Sequence, residues 1–119
     1  MATQYEEKKE TFFLQSEENK IVIKVKIGNG QGGGFFIFQE SNRIAVNKSA
    51  IIEKAGTAID QTITIVVVIK DKLEETNWTS VLVTFNEGNE QTVSFGPYSK
   101  ETKNDFDTII YTLKIKVLK

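Results

Sequence analysis

The chain has 119 residues, a formal net charge of −1, no cysteine and no histidine. That length fits one domain, and a domain of this size buries roughly two-thirds of its unfolded surface, enough for a core without staples. Missing cysteine and histidine exclude disulfides, thiolate chemistry, the commonest general base and the commonest zinc ligand, and with Arg43 the only arginine among fifteen basic residues a nucleic-acid partner is disfavoured.

Residues 1–10 (M-A-T-Q-Y-E-E-K-K-E) are polar and mixed in charge. They read as a flexible arm or the lead-in to a first strand, with a single domain over residues 11–119. Residues 11–15 (T-F-F-L-Q) form a short strand candidate, and 16–19 a polar turn. Residues 20–27 (K-I-V-I-K-V-K-I) alternate cleanly, with Ile21, Ile23, Val25 and Ile27 inward and Lys24 and Lys26 outward. The run G-N-G-Q-G-G-G at 28–34 follows, and F-F-I-F-Q at 35–39 resumes as a strand. The whole segment reads as a β-hairpin with a long glycine loop. Residues 44–46 are a further short strand. Residues 49–56 (S-A-I-I-E-K-A-G) are the one plausible helical turn, although Ile51 and Ile52 suit a strand equally well.

Residues 62–71 (T-I-T-I-V-V-V-I-K-D) are the longest apolar run and the expected centre of the fold. β-Branched side chains pack well on a pleated surface. Ile63, Ile65, Val67 and Ile69 share one face. Val66 and Val68 make the other face apolar too. After a polar connection carrying Trp78, residues 80–85 alternate, 86–89 make a hairpin turn and 91–95 return. Gly96-Pro97 is expected to end that strand, because proline cannot donate to a ladder. Residues 108–118 form the last strand, with Ile109, Tyr111, Leu113, Ile115 and Val117 on one face and Lys114 and Lys116 on the other. Seven to nine short strands with little helix predict an antiparallel β-sandwich with immunoglobulin-like Greek-key connections, with a closed barrel as the alternative.

Three segments together resemble a class of small, uncharacterised bacterial all-β proteins. They are the glycine run at 28–34, T-N-W-T-S-V-L-V-T-F at 76–85, and the closing Y-T-L-K-I-K-V strand. The resemblance covers about two-thirds of the chain. It implies a compact all-β domain and no activity.

No catalytic motif stands out, so a non-enzymatic protein is expected, with no cofactor and no metal. The glycine run leads into a strand, not a helix N-terminus, which argues against a phosphate-binding loop. It suits a hairpin tip that another chain can approach closely. Phe35, Phe36 and Phe38 make both faces of their strand apolar, as Val66 and Val68 do for theirs. Gly28, Gly30, Gly32, Gly33, Gly34, Phe35, Phe36, Val66, Val68 and Trp78 are therefore the expected contact residues for a protein partner or for self-association into an oligomer. Lys24, Lys26, Lys114 and Lys116 would form a basic stripe if their strands were neighbours. Asp60, Asp71, Glu74, Glu75, Asp105 and Asp107 read as solvated loop charges, since no calcium-loop spacing is present. Exposed Trp78 and Tyr98 lining a groove would instead indicate a carbohydrate- or small-ligand-binding module. No run resembles a signal peptide or could span a bilayer, so a cytoplasmic protein is expected, the export of a chain trimmed of its leader aside.

Overall fold

The computed structural model describes all residues except 1, 30, 72–76 and 105. Nine strands are present among the described residues: β1 (Thr3–Phe13), β2 (Ile21–Ile27), β3 (Gly32–Gln39), β4 (Asn42–Val46), β5 (Ala50–Ile52), β6 (Thr62–Lys70), β7 (Trp78–Glu87), β8 (Gln91–Glu101) and β9 (Thr108–Leu118). They form an all-β sandwich of two sheets, one ordered β1-β9-β6-β3-β4 and the other β5-β2-β7-β8. All neighbours are antiparallel except β1 and β9, which run parallel.

β6 lies at the centre of the five-stranded sheet, as its apolar run anticipates. Its inward residues Ile63, Ile65, Val67 and Ile69 are fully buried. They meet Ile21, Ile23, Val81, Val83 and Phe85 of the opposing sheet in one core. Phe85 stacks against Phe12 at 5.1 Å and Phe95 at 5.4 Å, the second pair edge-on, a geometry aromatic rings favour.

Several expectations are overturned. β2 and β3 are not a hairpin: β2 pairs with β5 and β7, whereas β3 pairs with β4 and β6. The chain changes sheets between Ile27 and Gly32; Asn29 has a φ of 59° and the Gly28 N–H donates to the Ser80 carbonyl. Gly32, Gly33 and Gly34 belong to β3 itself, so the glycine run is not a long loop tip. The helical turn expected at 49–56 is the strand β5 followed by a 3-10 turn, Ala55–Ala58. β8 continues through Gly96-Pro97 to Glu101, because the two residues fall in a bulge of this edge strand, between the Val83–Phe95 and Val81–Tyr98 pairs, where no ladder bond is lost.

Residues 3–10 form most of β1 instead of an arm. Their mixed charge has a physical reason. β1 and β8 are the edges of the two sheets on one side of the sandwich. The β1 residues facing the other sheet there close a seam, not a core. Lys100 pairs with Glu6, the Tyr98 hydroxyl donates to Glu10, and the Lys8 ammonium sits 5.7 Å from the Tyr98 ring centre. Inward charges of this kind also keep an edge from pairing with another chain.

The seam has a measurable signature. Burial, aided by the Glu10 carboxylate, pushes the Tyr98 phenol well above its ordinary 10.0. Burial also raises Tyr111, whose hydroxyl pairs with Thr79 at 2.9 Å. A raised folded-state value means stability that is full below the unfolded value and is lost as pH rises through the folded one. Phenolate absorbance should therefore show both tyrosines protonated beyond pH 10.0, with folding lost as they ionise.

Candidate functional site

Register alternation places one residue set of each strand on the outer face of the five-stranded sheet. Phe36 pairs with Val66 on β6 and Val46 on β4, and Val66 pairs with Thr112 on β9. In the next row Gly34, Val68 and Ile110 are neighbours, and Tyr5 on β1 adjoins Ile110. On the other side Phe38 lies between Arg43 and Thr64, and Thr64 is followed by Lys114 and then Lys9. Phe36, Phe38, Val66, Val68 and Ile110 are half-buried, and Tyr5 is 75% exposed. These rows make a contiguous apolar band across the sheet, flanked by cations.

The band carries shallow depressions. Phe36, Phe38, Arg43 and Val66 line a trough of about 470 Å3. Beside it, Lys9, Glu10, Thr11, Thr62, Lys114 and Lys116 line a second hollow of about 360 Å3. A third, of about 480 Å3, lies between Tyr5, Glu6, Glu7, Thr112 and Lys114. Lys114 pairs with Glu7 at 3.0 Å, and that ammonium holds the Glu7 carboxyl below its ordinary value.

Of the residues expected to make contact, Gly34, Phe36, Val66 and Val68 are brought together here, and Gly32 lies at the end of the same face beside Lys70. The others are elsewhere. Phe35 faces inward and packs against the core. Gly28 and Gly33 are placed by packing: a Cβ at either would lie 2.2 Å from Ser80 Oγ or the Val68 carbonyl oxygen, respectively. Trp78 is 48% exposed at the start of β7, in the other sheet. Gly30 lies outside the described residues, as do Glu74, Glu75 and Asp105.

Tyr5, Lys9 and Arg43 belong to the face yet escape a reading of the sequence, because nothing local says that β1 joins β9 or that β4 lies beside β3. The basic stripe does not form as expected. Lys24 and Lys26 belong to β2 in the other sheet, away from Lys114 and Lys116. Lys9 takes their place beside Lys114.

The acidic loop residues are not all solvated. Asp71 is fully buried and accepts hydrogen bonds from Gln31 Nε2 at 3.0 Å and Thr102 Oγ1 at 2.9 Å. Asp107 is 1% exposed and accepts from the backbone N–H groups of Ala2 and Asn104. Both carboxylates tie loops to the sandwich end. Among the described residues no cluster of three or more acidic side chains could hold a metal ion, and no helix is long and apolar enough to cross a membrane. Compared with protein-family models, with curated proteins and with solved structures, the chain matches none of them.

Proposed function

We propose that this chain is a non-enzymatic protein-interaction module, acting in an oligomer or larger assembly through the outer face of its five-stranded sheet. The observation that supports this reading is the apolar band Val46–Phe36–Val66 and Val68–Ile110–Tyr5, left uncovered by every described element of the chain. Five strands about 4.8 Å apart and about nine residues long give a face of roughly 20 by 30 Å. That approaches the roughly 800 Å2 per partner of a standard interface. Three of the four sheet edges are less suited to contact, since β1 carries a run of mixed charge and β4 and β5 are short.

A photo-crosslinking amino acid at position 36, compared with one at Thr84 on the outer face of the other sheet, tests the reading in the native cell. Adducts to protein at 36 and none at 84 are expected. Adducts at 84 alone, or at neither, would sink it. Val66→Lys should abolish the adducts at 36 while leaving the circular dichroism unchanged.

The alternative is a carbohydrate- or small-ligand-binding module, favoured by the half-exposed Trp78. Tyr98, the second ring this reading needs, is engaged in the β1–β8 seam. Neutral oligosaccharides that shift the Trp78 fluorescence would favour it.

A further inference from the structure

We propose that the outer face of the five-stranded sheet receives an acidic, amphipathic segment of another protein, its carboxylates over Lys9, Lys114, Lys116 and Arg43 and its apolar side chains in the Phe36–Phe38–Val66 trough. This rests on the interaction reading above and adds the chemistry of the partner.

Charge is the first argument. The outward residues of the five strands include Lys9, Arg43, Lys70, Lys114 and Lys116, against the single acid Glu7. This is a cationic face on a chain whose net charge is −1. Lys9 and Lys114 stand directly opposite each other on neighbouring strands, a placement that costs stability when nothing neutralises it. Glu7 answers one of the two, pairing with Lys114. An external carboxylate row relieves the rest.

Geometry is the second. Lys9, Lys114, Thr64, Phe38 and Arg43 follow one row across the sheet, with cations at both ends and an aromatic ring between. Four strand spacings make that row about 19 Å long, the reach of roughly six residues of extended chain. The hollow lined by Lys9, Lys114 and Lys116, three cations against the one acid Glu10, and the apolar trough lie side by side along it. An extended segment that turns acidic, apolar and acidic side chains to the sheet at every second residue matches both.

Other occupants fit less well. A second copy laid face to face sets one cation cluster against another, and like charges across an interface reject a partner. A bilayer needs apolar side chains that project, whereas Phe36 and Phe38 are half-buried in a trough. A phosphate backbone leaves the trough unused.

Fluorescence anisotropy with short labelled peptides decides the matter. The probe repeats Glu-Ser-Leu-Ser, which puts Glu and Leu on one face of an extended chain. Its controls replace Glu by Lys or Leu by Ser. The Glu/Leu peptide should bind, each control should bind at least about tenfold more weakly, and added salt should weaken binding. Lys116→Glu and Arg43→Gln, both at exposed positions and checked for folding by circular dichroism, should each weaken it several-fold. Equal binding of the Lys/Leu or Glu/Ser peptide would overturn the proposal, as would sedimentation with phosphatidylserine vesicles. A crosslink from position 36 to a second copy or a partner, with no Glu/Leu peptide bound, leaves the interaction reading standing and removes the acidic partner alone. No crosslink and no peptide binding removes both.

Discussion

Replacing Glu87 by Ala should lower the unfolding free energy by about 4 kcal/mol, measured by urea denaturation at neutral pH, because several donors lose one buried acceptor. Glu87 ends β7 with its side chain fully buried. Its carboxylate accepts from the Gln15 N–H at 2.9 Å and the Ser16 N–H at 2.9 Å. It also accepts from the side-chain amides of Asn19 and Gln91. The loop from β1 to β2 is thereby tied to the β7–β8 hairpin. Alanine takes the acceptor from the part-buried Gln15 and Ser16 N–H groups and leaves Asn19 with Glu90 and Gln91 with the Phe13 carbonyl. Gln91 also holds the Phe13 carbonyl at 2.7 Å, so the loss reaches the β1–β8 seam.

Acid should reveal the same residue. Burial alone pushes the Glu87 carboxyl up. The N–H of Gln15, the amides of Gln91 and Asn19 and the N–H of Ser16 outweigh it and hold the group below its ordinary 4.5. A depressed folded-state value gives stability that is full above the unfolded value and is lost as pH falls through the folded one. Wild-type stability should therefore decline as pH drops below 4.5. Glu87→Gln has no charge to lose, so it should start lower and decline less steeply. An unchanged acid slope in Glu87→Gln would show that other carboxylates carry the effect.

Gly33→Ala should be nearly as damaging, costing about 3 kcal/mol or more through strain in the backbone. The added Cβ would lie 2.2 Å from the Val68 carbonyl oxygen and 3.1 Å from the Ile69 Cα. Neither can swing aside as the tip of a flexible side chain can. β3 would have to move away from β6 or twist locally. That displaces Phe36 from Val66, its register partner, and so opens the proposed contact face. Hydrogen exchange should show faster exchange in β3 and β4 while β7 and β8 stay protected. Full protection with unchanged stability would contradict the close packing at Gly33.

These two sites show where local reading stops. The glycine run at 28–34 looks like a loop because five glycines in seven residues are a turn signal. Three of the five sit in a strand, and Gly33 is there because another backbone passes too close for a side chain. Glu87 looks like one more turn acid beside Asn86. Only the return of residues 15–19, far away in sequence, makes it a buried acceptor.

Period-two alternation in the sequence was enough to determine the fold class, the inward faces of β2, β6, β7 and β9, and the second apolar face carrying Phe36, Val66 and Val68. Alternation is a local property, set by the pleat and by which side chains leave water. Which strands become neighbours depends on contacts between distant residues, and no local pattern encodes it. The tertiary structure therefore decided that β2 and β3 part into different sheets and that β1 joins β9. It also decided that Lys9, Arg43 and Tyr5 complete the face around Phe36 and Val66.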